Sequence, residues 1–95
     1  MPSFVLMNVD KPDSLALRLA NREAHLAYCR DRAAMIRLGG PLMSEGGDMA
    51  GSLLILETED IAAAQAFSDN DPYTLAGLFE RRDVRPLKIT MGQIA

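Results

Sequence analysis

Apolar positions along the chain follow two different periods. Phe4-Val5-Leu6-Met7-Asn8-Val9 is rich in strand formers, is apolar on both alternating faces and stops at Asp10-Lys11-Pro12-Asp13. Such a run reads as a central β-strand. Asp13 or Ser14 offers an N-cap for a helix. From Leu15 onward, Leu19, Leu26, Cys29, Ala33 and Ile36 keep helical spacing, with an interruption at Arg22. This predicts either one long helix or a short turn followed by a main helix over about residues 21–37. Gly39-Gly40-Pro41 is expected to end the helical pattern, because proline forbids its continuation.

Leu42-Met43 then begins a hairpin, Ser44-Glu45-Gly46-Gly47-Asp48 supplies its turn, and Ser52 to Glu57 is its second strand. Thr58-Glu59-Asp60 leads into an alanine-rich helix from Ile61 to Phe67, with acidic residues well placed at its start. Asp71-Pro72 restarts a short helix towards Phe79. Val84 to Met91 alternates, with Leu87, Ile89 and Met91 on one face. The order β-α-β-β-α-β predicts an α+β, ferredoxin-like fold: a four-stranded antiparallel sheet with both helices on one face. No repeat or linker interrupts it, so residues 1–95 read as a single domain. Val5, Met7 and Val9 point away from the face that Phe4 and Leu6 share, yet both sets are apolar. One set meets the helices; the other calls for a second molecule, and a homodimer closed sheet to sheet is the expected solution.

Composition narrows the functional classes. A net charge of −3, from 10 basic and 13 acidic residues, argues against a nucleic-acid-binding module. A single cysteine excludes an internal disulfide or a zinc ribbon. No apolar stretch approaches membrane-spanning length, and Met1 to Met7 lacks the basic start of a signal peptide. The expected setting is cytoplasmic, with Cys29 a reduced thiol that nothing in the sequence pairs with.

His25 is the only histidine, so any imidazole chemistry must use it. It is a candidate general acid or base near neutral pH, or an ordinary histidine at the edge of the buried stripe. Asp71 before Pro72 is explained by helix capping alone. It is also a candidate carboxylate for orienting His25, and the roles coexist if one oxygen serves each. Arg22 lies three residues before His25 on a similar side of the helix. It either binds a substrate carboxylate or is a solvated cation. Ser52 beside Gly51 either hydrogen-bonds a ligand or begins a strand, and Tyr73 either lines a site or packs. The glycine pairs do not form a phosphate loop. Arg81, Arg82 and Arg85, interrupted by Asp83, read as a solvated turn. The six methionines suit an adaptable core or interface and, like the scattered carboxylates, suggest no metal site.

Seven short motifs occur in order: Arg22-Glu23-Ala24-His25-Leu26, Gly40-Pro41, Gly51-Ser52, Ala64-Gln65-Ala66-Phe67, Asp71-Pro72-Tyr73, Ala76-Gly77-Leu78-Phe79-Glu80 and Pro86-Leu87-Lys88. Together they make the chain resemble the YciI family (YCII-related domain) over nearly its whole length. The resemblance implies a ferredoxin-like protomer in a dimeric α+β barrel. It also implies an active site with a His–Asp pair, which maps onto His25 and Asp71, with Ser52 lining the same pocket. One branch of the family resembles a dehydrochlorinase acting on a chlorinated hydroxyquinol-type ring. The fold is shared with muconolactone isomerases and small monooxygenases, an analogy of fold alone for oxygen chemistry. Two functions are therefore expected to compete. One is a cofactor-free, metal-free lyase, isomerase or dehydrochlorinase that moves a proton on a small cyclic substrate. The other is a non-catalytic dimeric module that binds a small molecule or supports a partner enzyme. The assembly is expected to be a homodimer or a dimer of dimers, and Met43 to Ala50 is where substrate choice would lie.

Overall fold

Strand β1 (Ser3–Asp10) runs through the middle of the sheet in the computed structural model, which describes residues 1–92. The last three residues of the expected domain, 93–95, lie outside the described ones. Helix α1 (Leu15–Arg30) comes next, then a single 3-10 turn (Ala33–Met35) and strand β2 (Ile36–Met43). Strand β3 (Met49–Glu57), helix α2 (Ile61–Asn70), the one-turn helix α3 (Pro72–Leu75) and strand β4 (Phe79–Leu87) complete the order. The sheet runs β2-β3-β1-β4 and every neighbouring pair is antiparallel. This is the expected α+β, ferredoxin-like sheet with its helices on one face.

Alternation along β1 and β3 divides the sheet into two faces. Phe4 pairs with Leu56, Leu6 with Leu54 and Asn8 with Ser52, and all six side chains are buried. Ala64 and Phe67 of α2 close over this face, joined by Tyr28 and Cys29 of α1. Burial of leucines such as Leu6 and Leu56 contributes about 2 kcal/mol each. The opposite face carries Val5 beside Ile55 and Met7 beside Leu53, with Val9 opposite Gly51. Met7 and Val9 are each 42% exposed there.

β3 begins at Met49 rather than Ser52, α2 runs on to Asn70 and α3 ends at Leu75, and larger differences from the sequence expectation fall elsewhere. Helix α1 stops at Arg30, and Ile36 belongs to β2, where it still reaches the core from a strand. Helical spacing and a turn-then-strand can deliver the same residues to one core, so periodicity could not separate them. Gly39-Gly40-Pro41 lies inside β2 rather than ending a helix. β2 is an edge strand, where proline is tolerated, and Gly39 lies so close to Leu54 that a Cβ would collide with it. β4 starts at Phe79 and ends at Leu87, so Ile89 and Met91 fall beyond it. Arg81, Arg82 and Arg85 are strand residues, not a solvated turn. Arg82 reaches the helix side, where its guanidinium donates to Asp69 at 2.8 Å and Ser68 at 3.0 Å. Arg81 instead pairs with Asp83 at 2.9 Å. A charged edge strand lacks an apolar alternation by which to be read, and its charges discourage pairing with another edge.

Gly51 lies close against the backbone of the neighbouring strand β1. A Cβ there would sit 2.5 Å from the backbone oxygen of Asn8, whereas one at Gly40 would meet nothing within 4 Å. Gly51→Ala is therefore expected to destabilise the protein by about 1–3 kcal/mol. Gly40→Ala should stay within about 0.5 kcal/mol of wild type. Urea unfolding of both variants checks this, and equal midpoints would contradict the close approach.

Candidate active site

Asp71 ends α2 and begins α3, and its buried carboxylate does two jobs there. Oδ1 accepts a hydrogen bond from the Tyr73 backbone N–H at 2.9 Å, capping the short helix that Pro72 starts. Both oxygens also face Nδ1 of His25, at 2.9 and 3.0 Å. His25 comes from the middle of α1, so this contact ties two helices 46 residues apart in the chain. The Tyr73 ring stacks on the imidazole, with centroids 4.2 Å apart and planes inclined by 17°. A carboxylate at Nδ1 and a ring across one face hold the imidazole in a single orientation and direct Nε2 outward. Nε2 lies 3.7 Å from Sγ of Cys29, one helical turn further along α1.

A second polar cluster lies beside the first. Arg18 is only 2% exposed. Its Nε and Nη2 donate to the two carboxylate oxygens of Asp10 at 2.7 and 2.9 Å, and Nη2 also donates to Ser52 Oγ at 2.8 Å. Its guanidinium carbon lies 4.5 Å from the centre of the Tyr73 ring, on which the cation packs. Burial opposes the Arg18 charge, but the hydrogen bonds and charge of Asp10 outweigh it and its pKa rises above the ordinary value. For His25, burial likewise opposes protonation, yet the hydrogen bonds to Asp71 and Cys29 lift its pKa from 6.5 to about 9. Near pH 7 the site therefore contains an imidazolium, which can give up a proton before it accepts one. Burial pushes the Tyr73 hydroxyl up, so the phenol stays neutral.

Arg22, His25, Ser52 and Tyr73 all line one cavity of about 190 Å³ between α1 and the β2–β3 side of the sheet. Asp71 stands behind the imidazole. Apolar walls come from Leu26, Ile36, Pro41, Met49 and Leu54. Arg22 is exposed and adds a positive charge to the lining. Sequence reasoning missed Arg18, Asp10 and the position of Cys29. Arg18, Arg22, His25 and Cys29 recur at intervals of four, three and four residues along α1, a one-face stripe visible in the sequence. A basic residue on a helix is ordinarily solvated, however, and Ser52, which buries this one, lies 34 residues away. Among the described residues no group of three or more His, Cys, Asp or Glu is arranged to hold a metal ion, and no helix is long and apolar enough to cross a membrane.

Fold and cavity together define a ferredoxin-like α+β protein with a histidine–carboxylate pocket between helix and sheet. An antibiotic biosynthesis monooxygenase shares the fold, with a TM-score of 0.59 and 13% identity over 96% of this chain and 100% of that one. A more similar structure is the 5-chloro-2-hydroxyhydroquinone dehydrochlorinase TftG from Burkholderia phenoliruptrix, in complex with 2,5-dihydroxybenzoquinone. It has a TM-score of 0.87 and 41% identity, covering 90% of this chain and 93% of that one. Protein YciI of Escherichia coli is 38% identical over 93 residues, 90% of this chain and 95% of its own length. An uncharacterized protein of Haemophilus influenzae is 36% identical over 94 residues, again 90% of this chain and 95% of the relative. The YCII-related domain pattern matches residues 3–88. The chain belongs to the YCII-related domain family.

The raised His25 pKa links the pair to stability. Below pH 6.5 the imidazole is protonated whether the chain is folded or not, and the pair's contribution is fully present; it is lost as pH rises through about 9. The stability gap between wild type and His25→Asn should therefore be largest at pH 6 and shrink towards pH 9. Thermal melts at pH 6, 7.5 and 9 measure it, and a gap that widens with pH would refute the assignment.

Proposed function

We propose that the protein is a cofactor-free enzyme that transfers protons on a small hydroxylated ring, with His25 as acid and base and Asp71 as the group that holds it. The observation that carries this reading is the 2.9 Å contact of the buried Asp71 carboxylate with the part-buried His25, which stands at the wall of a cavity of ring size. The dehydrochlorinase activity of the similar TftG supports the class of reaction. For a chlorinated hydroxyhydroquinone, the imidazolium delivers a proton to the chlorine-bearing carbon, making the keto tautomer. The ring hydroxyls give up two protons: one restores His25, and the other leaves with chloride as HCl. The product is the hydroxyquinone, and no external oxidant or reductant is needed. Asp71 keeps Nδ1 as the donor and balances the imidazolium charge. Ser52 and Arg22 bind ring oxygens, and Tyr73 positions the imidazole by stacking.

The working unit in this reading is a homodimer, or a dimer of such dimers, closed through the face that bears Val5, Met7, Val9, Leu53 and Ile55. Its apolar character and partial exposure support a second copy as the cover. Cys29 as a free thiol accords with a reducing, cytoplasmic setting.

Chloride release and quinone absorbance on a panel of chlorinated and chlorine-free hydroxyhydroquinones test the reaction. His25→Asn is expected to lower kcat by about 10²–10⁴-fold, the usual worth of a positioned acid–base group. Equal turnover by the variant would remove His25 from the mechanism. Saturable binding of the whole panel without turnover would replace the enzyme with the binding module. For the assembly, analytical ultracentrifugation at micromolar concentration should give at least twice the 10.4 kDa chain mass, and Met7→Asp should shift it towards the monomer. A wild-type monomer would overturn the dimer.

A further inference from the structure

We propose that Cys29 is a nucleophile of this cavity, which captures conjugated carbonyl rings of the quinone class as a covalent thioether with help from His25 and Asp71. The sequence shows no partner for this thiol; the fold supplies two. Cys29 and His25 are four residues apart on α1, so their side chains meet on one face. Sγ lies 3.7 Å from Nε2, while Nδ1 is engaged by Asp71 at 2.9 Å. Nucleophile, imidazole and orienting carboxylate thus stand in the order used by activated cysteines. Independent of that chain of contacts, Cys29 lines the same cavity as Arg22 and Ser52, whose polar groups serve as donors to a carbonyl oxygen, and as Leu26 and Leu54, which suit the ring itself. The cavity lies on the helix side of the sheet, on the opposite face from Val5, Met7 and Val9.

The step is an addition with no leaving group. Nε2 already carries a proton at pH 7, so the thiol gives its own proton to solvent water and the sulfur pair forms a C–S bond to the conjugated carbon of the ring. The displaced π pair moves through the ring to the carbonyl oxygen, which takes the proton from Nε2; the hydrogen on the attacked carbon then shifts as a proton to the second ring oxygen, and the proton released to solvent is regained by Nε2. The product is a thioether-substituted hydroquinone, the net addition of S–H across the quinone, in which the ring is reduced and the carbon–sulfur bond is its counterpart. The imidazolium beside Sγ places positive charge next to the sulfur as it becomes anionic.

The proposal rests on the proton-transfer reading for its ligand, since a quinone is the product expected there, but it does not need turnover. The probe is 1,4-benzoquinone, with N-ethylmaleimide as a second electrophile, followed by intact-protein mass spectrometry at pH 7. Wild type should take up one equivalent about tenfold faster than N-acetylcysteine and about tenfold faster than His25→Asn, and Cys29→Ser should abolish the uptake. Equal rates for wild type and a folded His25→Asn would overturn the proposal. Should that variant fail to fold, wild type is its own control: the folded chain must react faster than the same chain in urea, each normalised to N-acetylcysteine in the same solvent. A folded thiol slower than the unfolded one overturns the proposal. An inert thiol in a protein that releases chloride removes only the nucleophile. A fast thiol in a protein without turnover removes only the earlier reaction.

Discussion

One carboxylate organises the half of this protein that holds the cavity. Asp71 is 2% exposed, and a buried carboxylate is costly unless its oxygens are used. Here Oδ1 caps α3 and both oxygens meet the imidazole. The cap fixes where Tyr73 begins its turn, and Tyr73 in turn stacks on His25. The ring then receives the Arg18 cation near its centre, at 4.5 Å. Asp71 therefore sets the position of α3 against α1, the orientation of the imidazole and one wall of the cavity together. Removing the carboxylate would strip α3 of its cap and leave a part-buried imidazolium without a counter-charge, so two structural tasks are not separable at this residue.

The sheet explains why so short a chain can hold a polar cavity. Its inner face is split along its length. The rows of Phe4, Leu6, Leu54 and Leu56 form the apolar core beneath α2. Further along the same rows, Asn8 and Ser52 replace the large apolar side chains, and Arg18 with Asp10 fills the space. The ion pair is bidentate and its third donor goes to Ser52, which satisfies most of what burial would otherwise leave unpaired. The cavity opens where this polar end meets the thin strand β2, whose Gly39, Gly40 and Pro41 all line it.

Much of this architecture is legible in the order of residues. Asp71-Pro72 announced a capped helix start, and the carboxylate meets both the cap and the histidine, with Oδ1 making both contacts rather than one oxygen serving each. The alternating β1 run announced a two-faced central strand. What escaped was of two kinds. Gly39-Gly40-Pro41 points to the end of a helix and Arg81, Arg82 and Arg85 to a turn, yet all lie in edge strands, which accept residues that interior strands reject. Arg18 and Cys29 escaped because each draws its meaning from neighbours: Arg18 from Asp10 and Ser52, Cys29 from the rotation of His25 about the helix.

Local physics thus determined the strand and helix types, the capping aspartate and the single imidazole, since propensity, periodicity and capping act within a few residues. Tertiary structure alone decided which charges are buried and which groups touch. Contacts such as Arg18 with Ser52, or Asp71 with His25, join segments tens of residues apart, and burial changes their energies far more than residue type does. That is why His25 could be nominated from its uniqueness, whereas its raised pKa and its sulfur neighbour arise only in the folded chain.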